Sequence, residues 1–400
     1  MKARFRYRIY PTPSQRTRLA KVFGCTRVVW NDALVYCSAA SKVPSGAQLQ
    51  KMFVARAKQT QERHWLAEVS NIPLQQSIRD LKQAYANFFK SLKKDRKEER
   101  FNPPQFKKRR AAQSARFTRY GFKIERHATY LAKIGYLKTV WSRPLPSEPS
   151  SATAIKDPAG RYFLSFVVEV MPERVPASRE RIGIDLGVIN FATLDTGEKI
   201  DAPKPLKNNL KRLRKRNKAL SRKKEGSNRW KRTKRKLAKL YARIADTRQD
   251  FLHKLSTRLV SENQAIAIED LNVSGMLKNQ KLARAISDLG WRQFRDLLAA
   301  KCRKYGRDFQ LVNRWEPTSQ RCSHCRQRGG KKHLDIRQWE CLSCGAFLDR
   351  DINAAINIKV AGGQSETQNG RGGGRKTSVK EAAAQEASTQ PEPVQLLLFG

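Results

Sequence analysis

Two cysteine pairs and three separated carboxylates are the residues of this chain whose types and spacing could do chemistry. Cys322-x2-Cys325 and Cys341-x2-Cys344 stand fifteen residues apart. Each pair can offer two thiolates from a tight turn, and four thiolates close a tetrahedron around Zn²⁺. Dithiol redox chemistry is the competing use of such pairs. His324 and His333 could also ligate, but four cysteines already fill the shell, which leaves the histidines at the surface. Cys25, Cys37 and Cys302 are scattered. In a reducing compartment, tight pairs point to metal rather than to disulfides.

The carboxylates are less obvious. Asp185 interrupts the apolar strand pattern of Ile182, Ile184 and Leu186, and Glu269 ends the run "AIAIE". Asp351 opens a helix whose Ala354, Ala355 and Ile358 follow at three, four and seven residues, so it lies on the packed face, with Asp349 as the natural cap. Each has an ordinary explanation when taken alone: a bulge, a solvated strand end, a partner for the helix dipole. Together, two strand acids and one helix acid can converge on one point, where their mutual repulsion calls for cations. Two Mg²⁺ ions on such a carboxylate set form a recognised device for in-line phosphodiester cleavage.

Charge narrows the partner. The 400 residues carry 82 Lys and Arg against 35 Asp and Glu, a formal net charge of +47. Such a chain is strongly self-repulsive without a bound polyanion, and nucleic acid is the leading candidate. A membrane surface competes, but "MKARFRYRIY" lacks an apolar leader core and no run reaches the length of a spanning helix, which predicts a cytoplasmic protein.

The elements that must position these groups fall into two halves. Residues 1–10 read as a strand, followed by a helix with apolar Leu19, Val22 and Phe23, and by more helix to about residue 100, ending in "SLKKDRKEER". Residues 101–178 change to strands: "ARFTRYGFKI", "LAKIGYLKTVW", and a hairpin turning at Asp157-Pro158-Ala159-Gly160. Strands resume at "RIGIDLG". Between residues 204 and 243 there are nineteen Lys or Arg and one acid, Glu225, on two helical leucine stripes broken at "EGSN". With almost no acids at i+4, such helices are destabilised unless a polyanion lies against them. The strand "QAIAIEDLNV", a helix through "ISDLGWRQFRDLLAAKCRKYG" and the cysteine region follow. From Ala361 the chain is rich in Gly, Ser and Gln, a composition that predicts disorder.

The motifs "IGIDLG", "IAIEDL" and "DRDINAAINI", with both cysteine pairs just before the third, resemble the three-part RuvC-like nuclease domain of the TnpB family. These are RNA-guided nucleases of insertion sequences, related to the compact type V CRISPR effectors. The resemblance implies an α+β protein. Residues 1–178 would form a β-barrel-like wedge domain with a helical recognition insertion at about 12–100. Residues 179–360 would form an RNase H-like (RuvC) domain with a basic hairpin at 204–255 and a zinc insert at 318–346, ahead of a disordered tail at 361–400. It implies Asp185, Glu269 and Asp351 as catalytic acids holding two Mg²⁺. It also implies Cys322, Cys325, Cys341 and Cys344 on one structural Zn²⁺, a guide RNA from the element's end, a double-stranded DNA target beside a short flanking motif, and a monomeric ribonucleoprotein. A nuclease-dead, RNA-guided repressor is the alternative, which would have lost one or more acids. A transposase with its own covalent chemistry would need a nucleophilic Tyr or Ser near paired histidines, and five dispersed histidines offer none. Arg326 departs from the family pattern, which usually has Gly after the second cysteine.

Overall fold

The computed structural model describes residues 1–92, 101–109, 111–173, 176, 179–333 and 335–368. It divides into two compact units, one covering residues 2–170 and one beginning at Met171, a few residues before the boundary read from sequence. The end of the charged run "SLKKDRKEER" and the tail beyond residue 368 lie outside the described residues.

In the first unit, β1 (Lys2–Ile9) leads into α1 (Pro13–Ala39), α2 (Gly46–Gln50) and α3 (Asn71–Leu92). Leu19, Val22 and Phe23 are buried on α1, as their spacing requires. The remaining strands are β2 (Gln113–Thr118), β3 (Phe122–Ile124), β4 (Ala128–Leu131), β5 (Gly135–Val140), β6 (Ser151–Lys156) and β7 (Tyr162–Glu169). The runs "ARFTRYGFKI" and "LAKIGYLKTVW", each read as one strand, are in fact two strands apiece. Tyr120 and Lys133 take positive φ, of 68° and 62°, and turn the chain where the apolar pattern runs on unbroken. All pairings in the sheet are antiparallel, in the order β2-β6-β7-β1-β5-β4-β3. Its two edge strands, β2 and β3, are joined through residues 119–121 alone, so the sheet must curl until its edges are neighbours. Phe122 on edge strand β3 accordingly meets Phe166 on β7, with ring centroids 6.2 Å apart.

The second unit is built on β8 (Arg179–Asp185), β9 (Ala192–Leu194), β10 (Lys199–Ile200), β11 (Asn263–Glu269) and β12 (Asp308–Val312), in the order β10-β9-β8-β11-β12. β8, β11 and β12 are parallel, while β9 and β10 return antiparallel. Between β10 and β11 stand the basic helices α4 (Pro205–Ser221) and α5 (Asn228–Glu262), the second running past the expected end of the hairpin. They close on each other through Leu213, Leu237, Leu240 and Ile244. Buried Asp288 caps α4, its two oxygens accepting from the Leu206 and Lys207 amides at 2.9 Å each.

Asp288 lies on α7 (Ala283–Leu289), which follows the short α6 (Val273–Met276); Gly290, at φ 74°, breaks the helix expected there and starts α8 (Trp291–Tyr305). Strands β13 (Gln338–Glu340) and β14 (Phe347–Asp349) form a small hairpin in the cysteine region. The final helix, α9 (Arg350–Gln368), continues through the first residues that composition assigned to the tail.

Strand alternation decides which side of the sheet does what. Ile182, Ile184, Ile266 and Ile268 pack with Leu252, Leu259, Trp291 and Phe294 from α5 and α8. The intervening Gly183 and Ala267 face α9. A Cβ on Gly183 would lie 2.1 Å from the Ala355 carbonyl oxygen, and one on Gly362 would lie 2.5 Å from the Ala267 Cβ. Helix and sheet therefore meet backbone to backbone, and only glycine permits that separation.

Candidate metal and nuclease centre

The same alternation aims the carboxylates. Asp185 shares the α9 face with Gly183, and Glu269 shares it with Ala267, while Asp270 points to the other side. The register Gly183↔Ala267 and Ile184↔Ile268 sets Asp185 and Glu269 side by side at the ends of adjacent parallel strands. Asp351 sits in the first turn of α9, four residues before the Ala355 that rests on Gly183. The helix thus runs back along β8 and delivers its N-terminus to the strand's C-terminal end.

The electrostatics report the convergence. Burial pushes the Asp185 carboxyl up to about 8, the negative charges of Glu269 and Asp351 push it the same way, and the Arg350 guanidinium opposes them. Asp185 is only half-buried by surface area, but its carboxylate lies deep among surrounding atoms, and that depth governs the shift. Glu269 is raised too, by burial and then by Asp270. Arg337, from the cysteine region, stands 3.5 Å from Asp351.

Neighbouring acids are occupied elsewhere. Asp349 caps α9, accepting from the Asp351 and Ile352 amides at 3.0 and 3.1 Å, and its other oxygen takes the Lys199 ammonium at 2.7 Å. Burial works against its charged form, yet Lys199 and those amides win and hold its pKa low. Asp270 is gripped by Arg295 at 2.8 Å and by Arg314. Asp195 accepts from the Gly183 amide at 3.0 Å and from Lys359 at 2.8 Å, tying β8 to α9.

Cys322, Cys325, Cys341 and Cys344 bring their sulfurs within 4.8 Å of one another. Two of the separations are 3.8 Å (Cys322 to Cys344) and 3.6 Å (Cys325 to Cys341). Ligands about 2.3 Å from a tetrahedral zinc stand about 3.8 Å apart, so the quartet fits one such ion. Backbone amides at Ser343 and Cys344 hold the Cys341 thiol down to about 6, although burial opposes them. Among the described residues the carboxylate oxygens form no such single sphere.

Two residues inside the third motif escaped the sequence reading. Asn353 and Asn357, one turn apart on α9 and almost fully buried, both donate to the Thr318 and Arg321 carbonyls that lead into the first cysteine pair. The Asn353 carbonyl oxygen accepts from the Ser323 amide at 2.8 Å, and that of Asn357 accepts from Arg326 at 2.9 Å. Buried amides spaced i, i+4 beside an apolar stripe were the signal that could have found them. Arg326 has φ 66° and Gly345 φ 69°, the equivalent position after each cysteine pair. The left-handed turn that favours glycine is kept at Arg326, whose guanidinium gains the bond to Asn357.

Family models match three parts of the chain: one described as "Probable transposase" over residues 165–280, one as "Cas12f1-like, TNB domain" over residues 291–358, and one as "Helix-turn-helix domain" over residues 1–42. Across this last range the structure has a strand and one long helix. A Streptomyces pristinaespiralis protein named "Putative RNA-guided DNA endonuclease" is 44% identical over 372 residues, covering 90% of each chain. The Escherichia coli K12 protein "Putative RNA-guided DNA endonuclease InsQ" is 31% identical, covering 90% of this chain and 92% of its own. The fold resembles that of Cas12f1 in its complex with sgRNA and target DNA, with a TM-score of 0.50 and 13% identity over 86% of this chain and 82% of the other.

Proposed function

Because the chain belongs to the TnpB family, we propose that it is an RNA-guided DNA endonuclease whose cleavage centre is Asp185, Glu269 and Asp351. The observation that carries this is the alternation of β8 and β11, which aims two carboxylates at the face where α9 delivers the third. A repressor reading is not favoured, since all three acids are present on that face.

The donor set suits Mg²⁺: hard carboxylate oxygens, with Asp185 raised by burial and then by the charges of Glu269 and Asp351, a repulsion that divalent charge would relieve. Bound there, Mg²⁺ would supply activation of the attacking water and stabilisation of the leaving oxygen. The chain's own part is placement. Gly183 admits α9, Asp349 and Lys199 fix its first turn, and the paired Arg residues keep Asp270 away from Glu269's task. Zinc in the four-cysteine site would be structural, acting on Asp351 through Asn353 and Asn357 and through Arg337.

The sheet order β10-β9-β8-β11-β12 supports an RNase H-like domain, and the curled first sheet supports a barrel-like wedge. Guide RNA would lie against the nineteen cations between residues 204 and 243. Sequence choice would come from base pairing, with protein reading the flanking motif, in a cytoplasmic, monomeric ribonucleoprotein. The test is to sequence the RNA that copurifies, rebuild the complex with a chosen guide, and assay cleavage of a matched duplex with Mg²⁺. Cutting that follows the guide is expected. Cutting at a fixed sequence by RNA-free protein would overturn the reading.

A further inference from the structure

We infer that Trp315 is a stacking platform for a nucleobase of the DNA strand that enters the carboxylate site, an inference that rests on the endonuclease reading above. Trp315 is 84% exposed, a large apolar ring left in water. Single exposed aromatics are ordinary on protein surfaces; the position and rigidity of this one are not. Val312 pairs directly with Glu269, and its carbonyl accepts from the Asp270 amide at 2.9 Å, so Trp315 stands three residues beyond the end of β12, the strand paired with the one that carries Glu269.

The loop holding the ring is pinned on both sides. On the near side Arg314 is bound to Asp270, next to Glu269. The Trp315 amide donates to the Asn313 side chain at 3.0 Å, and the Glu316 amide to the Asn313 carbonyl at 2.9 Å. On the far side Glu316 pairs with Arg321 at 2.9 Å, and the Thr318 carbonyl is held by Asn353 and Asn357 of α9, the helix of Asp351. One anchor thus adjoins Glu269 in the chain, and the other shares α9 with Asp351. A backbone so held loses little freedom on meeting a ligand, and Arg314 beside the ring and Arg321 across the Glu316 pair suit a phosphate backbone. Aromatic faces flanked by cations are the general means of holding single strands without reading their sequence.

The test uses the complete ribonucleoprotein on a matched duplex, comparing wild type with W315A, W315L and W315F. Stacking predicts that W315A and W315L cut about 5- to 150-fold more slowly while guide and target binding are unchanged in gel shifts, and that W315F recovers most of the rate. Abasic sugars placed one at a time around the cut should slow wild type at one position and leave W315A no slower there, the signature of a shared contact. Quenching of tryptophan fluorescence by an added thymidine oligonucleotide reads the stack without any cutting: wild type should lose more signal than W315F. Wild-type rates in W315L, or equal quenching in wild type and W315F, would overturn the inference. Absence of cutting by wild type with the quenching difference intact would instead count against the endonuclease reading alone.

Discussion

The four cysteines and the three carboxylates sit at opposite ends of one short path through α9, yet they are opposite kinds of site. The cysteines come from two tight turns less than twenty-five residues apart, and their sulfurs already stand at the spacing of one tetrahedral shell. The carboxylates come from two strands and a helix spread across the chain, and burial together with the charges of Glu269 and Asp351 raises the protonation of Asp185. A structural site is closed and content with its single ion, whereas a reactive one is left with charge it cannot settle by itself. Asn353 and Asn357 tie the loop of the first cysteine pair to α9, the helix that carries Asp351.

The sharpest way to break this contrast is to remove a carboxylate. Asp185→Ala, Glu269→Ala or Asp351→Ala should each lower cleavage by on the order of 10³-fold or more while guide and target binding persist, since several kcal/mol of charge stabilisation disappear. Near-normal cutting by any of the three in a rate assay would remove that residue from the centre. Next in size comes Cys341→Ala with Cys344→Ala. Elemental analysis should find about one zinc per chain lost, with activity falling through misplacement of Asp351; full zinc content would sink the four-cysteine site.

Asn357→Ala tests the link itself. It takes one of two amide donors from the Thr318 and Arg321 carbonyls and the acceptor from the Arg326 guanidinium, at a cost of about 1–3 kcal/mol in urea unfolding. Cleavage should fall while zinc is retained, an outcome that separates the link from the clamp. Asp349→Ala removes only a cap and its Lys199 partner, worth about 1 kcal/mol, and should be the mildest change.

The protonation of Asp185 gives the contrast a pH axis. Its folded pKa of about 8 lies above the ordinary 3.8, so the folded state holds the extra proton between those values. Stability of the metal-free protein should therefore fall as pH rises from about 4 to about 8, and Asp185→Asn should flatten that slope in thermal melts. Mg²⁺ must displace the same proton, so its half-saturating concentration should fall over the same rise in pH.

How much of this was legible beforehand follows from what each signal encodes. The cysteine spacing is a local pattern, and the structure draws its four sulfurs together. Asp185 and Glu269 were visible because they interrupt and end apolar runs, Asp351 because it opens the packed face of a helix, and alternation alone assigns Asp185 and Glu269 to one face. The turns at Tyr120 and Lys133 stayed hidden because non-glycine residues make them. Asn353 and Asn357 stayed hidden because their partners are backbone carbonyls more than thirty residues away, which no residue type announces. The reach of α9 past Ala361 was masked by Gly362 and Gly363, read as linker although Gly362 packs tightly on Ala267. Composition records flexibility and cannot see a close approach.

That the third carboxylate rides on the last helix has a consequence for synthesis. Domains of a growing chain fold in the order they leave the ribosome. The first sheet, both basic helices and two of the acids are out before α9 exists. On the proposed reading, a product ended early, anywhere before Asp351, would carry the basic helices but lack the third carboxylate of the centre. On that reading translation itself is a safety catch: the chain would be loaded before it could be fired.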